Sequence, residues 1–238
     1  MNISGKLKIY CDGATLPALL EMYKSPRISG FTTNPTLMRK AGIKNYQEFA
    51  LEVLEHIPDR PISFEVFADE FPEMRRQALT IAKWGKNVYV KVPITNTRAE
   101  SSIPLLQELS HEGVKLNVTA LCTLDQVKRT AECLRGGAPS VISVFAGRIA
   151  DTGIDPVPFM STAVEHCRRI GGDGVELLWA SPRELLNIVQ AEQVGCDIIT
   201  VTPDLLKKLE LIGKDLNTYS LETVQMFYND AAAAGYTL

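Results

Sequence analysis

VYVKVPI, Val88 to Ile94, alternates like a strand: Val88, Val90 and Val92 share one face, and Tyr89, Lys91 and Pro93 share the other. The same β-branched or aromatic character, closed by a turn or helix-start signal, recurs on both sides of it. Upstream lie KLKIYCD (from Lys6), ISGFTTN (from Ile28) and PISFEVF (from Pro61). Downstream lie VKLNVTAL (from Val114), SVISVF (from Ser140), VELLWAS (from Val175) and DIITVT (from Asp197). That makes eight candidate strands.

The segments between them carry helical spacing. Tyr46, Phe49, Ala50, Val53, Leu54 and Ile57 form one apolar stripe, and Met160, Ala163, Val164, Cys167 and Ile170 another. Leu124, Val127, Ala131 and Leu134 form a third, stopped by Gly136-Gly137. Pro182 and Pro203 are expected in first helical turns. Eight β/α units in 238 residues predict one domain, residues 1–238, folded as a (β/α)8 TIM barrel. An extra C-terminal helix is expected over about 220–236. An open doubly wound sheet is the alternative, but CDGATLP after the first strand is not the Gly-rich phosphate turn such sheets carry.

In a barrel, strand residues alternate between the helix layer and the lumen, which branched apolar side chains normally fill. Here polar groups occupy lumen positions near the C-terminal ends of several strands. Lys91 sits inside an apolar strand. Burial penalises an ammonium and favours a neutral amine, which a Schiff-base nucleophile needs; a lysine snorkelling from a strand end to water fits the same pattern. Asn117 and Thr119 share a face opposite Leu116, Val118 and Ala120; Ser63 and Glu65 oppose Phe64 and Val66; Asp12 lies on the side of Tyr10. Each alone is a strand-end polar group that could cap a helix, and Asp12-Gly13 could simply turn the chain. Together, an amine, two acids, an amide and a hydroxyl at one barrel mouth form a catalytic constellation. Arg148 and Arg183 follow late strands, where barrels often hold phosphate; surface arginine is the other reading.

A formal charge of −3 and a pI near 5.7 argue against a broad basic surface for nucleic acid. No apolar run reaches membrane-spanning length, and MNISGKLKIYCDG has no leader-like apolar region. Cys11, Cys122, Cys133, Cys167 and Cys196 are scattered without a CxxC, as in a reducing cytoplasm. His56, His111 and His166 show no metal-ligand spacing, so no metal is expected.

The segments GFTTNPTL (with Asn34), YVKVPIT, LNVTAL, ISVFAGRIAD and WASPR, in this order from Asp12 to about Pro203, resemble the transaldolase family. The likeness is to its short branch, which also includes fructose-6-phosphate aldolase. The resemblance implies a class I, metal-free and cofactor-free barrel enzyme that transfers a dihydroxyacetone unit between sugar phosphates. It implies Lys91 as Schiff-base lysine, Asp12 as general acid/base, and Glu65 and Thr119 as the pair that positions a water. It implies Asn34, Asn117 and Ser143 as ligands of the three-carbon unit, Phe145 and Ser181 as further substrate contacts, and Arg148 and Arg183 as ligands of the phosphate. The aldolase branch has Gln where this chain has Glu65 and Tyr where it has Phe145, so both positions lean towards transfer. The chain departs from the family's Ser-Pro-Phe at Ser143-Val144-Phe145 and from Asn-x-Thr-Leu-x-Phe at Asn117 to Cys122. It also departs from Ser-x-Arg-Asn at Ser181 to Glu184, which brings a carboxylate near Arg183 and leaves phosphate or sulfonate open as the anion. An aldolase releasing free dihydroxyacetone and a non-catalytic sugar-phosphate binder are the alternatives. Short family members resemble decamers of two pentameric rings with the C-terminal helix on a neighbour, so a homo-oligomer is expected.

Overall fold

The computed structural model describes residues 6–238; the first five residues, part of the N-terminal stretch expected to lack a leader, lie outside the described residues. Eight parallel strands close into a barrel in sequence order. They are β1 (Lys8–Asp12), β2 (Ile28–Thr32), β3 (Ile62–Glu65), β4 (Val88–Pro93), β5 (Leu116–Leu121), β6 (Ser140–Val144), β7 (Val175–Trp179) and β8 (Ile198–Val201). All eight expected strands are present, and the chain is a (β/α)8 TIM barrel.

The helices are α1 (Leu16–Tyr23), α2 (Pro35–Lys40), α3 (Tyr46–His56), α4 (Phe71–Ala82), α5 (Ile103–His111) and α6 (Leu124–Leu134). They continue with α7 (Ala146–Asp151), α8 (Pro156–His166), α9 (Leu186–Val194), α10 (Pro203–Leu206) and α11 (Leu216–Ala234). Local chemistry sets their ends. Asn34, Asn45, Asp155 and Asp215 each accept a first-turn backbone N–H, and Thr123 with Gln126 forms a reciprocal capping box. The cap at Asp215 starts α11 earlier than the expected 220. Pro203 is at the start of α10 as expected, but Pro182 precedes α9 without joining it. There the Asn187 side chain accepts from the Arg183 and Glu184 N–H groups and holds them outside the helix.

The strand faces pointing outward and the apolar stripes of the helices form the main core. Val90, Val92, Leu116, Val118, Ile199 and Val201 meet Val53, Leu106, Val127 and Ala163 there. Each fully buried aliphatic side chain contributes about 1.5–3 kcal/mol. A second, smaller cluster fills the lumen: Tyr10, Val141, Leu178, Ala180 and Ile198, with Tyr89 and Phe145 against it. Below it, at the N-terminal end of the barrel, Lys8 and Glu176 pair at 2.6 Å. The apolar plug thus raises a floor, and the polar lumen residues stand above it at the C-terminal mouth.

α11 has no buried residue, and Leu221, Val224, Phe227 and Tyr228 are exposed along it. No described helix is long and apolar enough to cross a membrane.

Candidate active site

A cavity of about 430 Å³ opens at the C-terminal mouth. Asp12, Asn34, Glu65, Lys91, Asn117, Thr119, Ser143, Phe145, Arg148 and Ser181 all line it. Of the residues expected at the site, only Arg183 is absent from its wall.

Strand register explains the gathering. Glu65 is the partner of Lys91 across β3 and β4, and Lys91 is the partner of Asn117 across β4 and β5. Parallel neighbours lie close to 4.8 Å apart, so side chains on one such row touch. Lys91 is 7% exposed, which removes the snorkelling alternative. Its Nζ donates to the Thr33 carbonyl at 3.1 Å and lies 3.1 Å from Glu65 Oε2. Tyr46, from α3, donates its hydroxyl to the Glu65 backbone carbonyl at 2.7 Å and fixes the end of β3.

Asp12 is the partner of Thr32 across β1 and β2 and accepts from Thr32 Oγ1 at 2.9 Å. Burial holds the Asp12 carboxyl above the ordinary carboxylate range; the charge of Lys91 and the Thr32 bond pull it back only in part. Ser143 donates to Asn117 Oδ1 at 2.7 Å, and Asn117 Nδ2 donates to Ser63 Oγ at 2.9 Å. This chain orients the Asn117 amide. Asn34 lines the cavity while its Oδ1 caps α2 through Leu37 N.

Thr119 is buried, and its hydroxyl has no hydrogen-bond partner among the described residues. Such a group costs about 1–3 kcal/mol unless something at the cavity wall satisfies it. The strict alternation expected on β5 fails at Ala120. The register slips between Val118 and Leu121, and Ala120 takes a φ of 66°, so it lines the cavity beside Thr119 instead of meeting the helices. Ser181 also adopts a left-handed φ, 61°. Two non-glycine residues in that region border one cavity, the kind of place where backbone strain collects.

The two arginines separate. Arg148, on α7, borders the cavity, its guanidinium 5.5 Å from the Phe145 ring centre. Arg183 is half exposed and lays its fork across Asp151, with Nε 3.1 Å from Oδ1 and the second nitrogen on Oδ2. The carboxylate meeting Arg183 is therefore that of Asp151. Gly147 lets this corner close: a Cβ there would lie 1.6 Å from the Ser181 carbonyl oxygen.

Sequence patterns did not single out Thr200 or Asp151, and gave Thr32 only as part of GFTTNPTL and Tyr46 only as a member of an apolar stripe, neither with a role at the site. Thr200 is the lone polar residue on the lumen face of β8, the one signal available for it. Among the described residues, no three His, Cys, Asp or Glu side chains gather as a metal site.

A sequence model of the Transaldolase/Fructose-6-phosphate aldolase family matches residues 9–238. A probable transaldolase of Dehalococcoides mccartyi is 33% identical over 203 residues, covering 85% of this chain and 90% of that relative. A probable transaldolase of Methanococcus maripaludis is 32% identical over 203 residues, 85% of this chain and 89% of the relative. Among solved structures, a HpcH/Hpal aldolase/citrate lyase family protein from Burkholderia cenocepacia superposes with a TM-score of 0.61. It covers 93% of this chain and 95% of its own at 14% identity, a likeness of fold alone. Barrel, polar mouth and near-complete sequence match agree, and the chain belongs to the transaldolase/fructose-6-phosphate aldolase family.

Proposed function

We propose that the protein is a class I transaldolase, moving a dihydroxyacetone unit from an acidic ketose to an aldose phosphate through an imine on Lys91. The observation that carries this reading is the buried Lys91 amine, 3.1 Å from the Glu65 carboxylate and at the wall of a polar cavity.

Glu65 is close enough to take the ammonium proton, which frees the Lys91 lone pair to attack the ketose C2 carbonyl. Loss of water from the carbinolamine gives the imine; Thr119 and Glu65 flank the position for that water. Asp12 then accepts the proton of the C4 hydroxyl as the C3–C4 bond breaks. The electron pair of that bond passes into the imine, an enamine forms and an aldose leaves. Attack of the enamine carbon on an acceptor aldehyde reverses the steps. Asp12 returns its proton to the new hydroxyl, and water releases the product ketose from Lys91. A carboxyl held above its usual range suits both halves of this task. Asn117 and Ser143 meet hydroxyls of the three-carbon unit, and Arg148 meets the acidic head group. Phe145 has no hydroxyl with which to protonate the enamine, which favours transfer over release.

The test is borohydride trapping with fructose 6-phosphate, the adduct located by mass spectrometry. Reduction on Lys91, and none in Lys91→Ala, is the expected result. An adduct on another lysine, with Lys91→Ala still active, would sink the assignment. Free dihydroxyacetone released as fast without an acceptor as transfer proceeds with one would make the protein an aldolase. The exposed apolar side chains of α11 support association with further copies of the chain.

A further inference from the structure

Thr200 ends a line of hydroxyls that begins at Asp12. On β8, Ile199 and Val201 join the helix-side core, while Ile198 joins the lumen plug and Thr200 the cavity wall. Thr200 Oγ1 is in a short hydrogen bond with Thr32 Oγ1, and Thr32 Oγ1 donates to Asp12 Oδ1 at 2.9 Å. A hydroxyl has one proton to give. While Asp12 is ionised, Thr32 gives its proton to the carboxylate, and the donor between the two threonines must be Thr200. Once Asp12 carries a proton, the line can run the other way: Asp12 donates to Thr32, Thr32 to Thr200, and the Thr200 proton turns to the cavity. The direction of both hydroxyls is thereby tied to the charge on Asp12.

We propose that Thr200 is a positioning residue for Asp12, acting through Thr32 to orient the carboxylate and to favour its ionised form. The inference rests on the reading of Asp12 as the acid/base of the reaction. Other groups bear on the same carboxyl. Lys91, from β4, stabilises the carboxylate. Glu65, from β3, and Arg148, from α7, border the same cavity with opposite charges. Cys11, next to Asp12 on β1, packs in the helix-side core, its thiol pushed up to about 12 mainly by burial, so it stays neutral near pH 7. β2 and β8 bring hydroxyls alone to the cavity wall here, Thr32 and Thr200. Those are the hydroxyls hydrogen-bonded in line to Asp12, and they can change direction with its charge.

Thr200→Val deletes the hydroxyl and keeps the shape. The Asp12 carboxyl is followed through pH in the full-length, substrate-free protein by infrared difference spectroscopy against Asp12→Asn. Losing the upstream donor removes roughly 10–30% of one charge-assisted bond, a rise in the midpoint of about 0.3 pH unit. Thr200→Ser should titrate with the wild type. In a Thr32→Val background, Thr200→Val should add nothing, because the two act through one bond. Should Thr200→Val fail to fold, Thr200→Ala carries the same expectation. An unmoved midpoint, or a Thr200→Ser shift as large as that of Thr200→Val, overturns the proposal. Borohydride trapping run alongside keeps the two readings apart. No adduct in the wild type strikes down the Schiff-base reading while the infrared titration still tests the relay. An adduct on Lys91 with an unmoved midpoint strikes down the relay alone.

Discussion

Replacing Gly147 by alanine sets two effects against each other. Gly147 is the second residue of the six-residue α7, where alanine gains at most about 1 kcal/mol over glycine. On propensity alone the variant gains stability. The added methyl, however, would stand 1.6 Å from the Ser181 carbonyl oxygen and 2.8 Å from its carbon, both backbone atoms. No side-chain rotation relieves that contact, so α7 and the loop after β7 must part by more than an ångström. Overpacking of this kind costs about 1–3 kcal/mol and more where backbone must move. With backbone forced to move, the cost lies at or above the top of that range, about 3 kcal/mol against about 1 kcal/mol gained; the contact wins, with a net loss of about 2 kcal/mol, or roughly 4–8 °C in Tm for a chain of this size. Function suffers further, because α7 carries Arg148 and the parted loop carries Ser181. A misplacement of about 1 Å can cost roughly a hundredfold in rate. The assays are urea unfolding and kcat/KM with an acidic ketose, measured well below the variant's Tm. Wild-type stability together with wild-type kcat/KM would refute the reasoning that this corner is closed by a missing side chain.

Three other outcomes are expected. Asp12→Asn should abolish transfer yet unfold at higher urea than the wild type at pH 7. Burial raises the folded carboxyl above its ordinary 3.8, so the wild type's burden grows as pH climbs from that value through the raised one; the two proteins should converge below pH 3.8, and a gap that persists there contradicts the assignment. Arg148→Ala should raise KM for a charged ketose by about tenfold or more, with little change for free dihydroxyacetone, whereas Arg183→Ala, already paired with Asp151, should raise it less. Equal effects of the two substitutions would undo that distinction. Phe145→Tyr should increase the dihydroxyacetone released per donor cleaved when no acceptor is present, and an unchanged ratio would remove Phe145 from the partition.

The barrel was legible because each strand is a short β-branched run with its own stop signal, and because Lys91 is conspicuous in an apolar strand. The polar mouth followed from alternation along β3, β4 and β5. Alternation cannot register a bulge, and so Ala120 was assigned to the wrong face. Thr200 was passed over for a different reason: threonine is an ordinary strand former, and its one local signal, a polar residue on the lumen face of β8, says nothing of a bond to a neighbour 168 positions away. The Arg183–Asp151 pair joins the last residue of α7 to the loop after β7, 32 positions apart, and only the pairing of β6 with β7 brings them together. Pro182 was misjudged because the side chain of Asn187, four residues beyond Arg183, captures the Arg183 and Glu184 N–H groups, which a helix begun at Pro182 would have left to a cap on its N-terminal side.

The floor of Tyr10, Val141, Leu178 and Ile198 makes the cavity a cul-de-sac. A transferase built this way has one door for two visitors. The aldose set free from the donor must back out before the acceptor can enter, and both occupy the same ground above Lys91. On the proposed reading of a fragment held on Lys91, this shape predicts kinetics of the double-displacement kind, with parallel reciprocal plots and donor that inhibits when in excess. Choice of acceptor is then no separate specificity: whatever aldose the pocket is able to release is the aldose it is able to welcome.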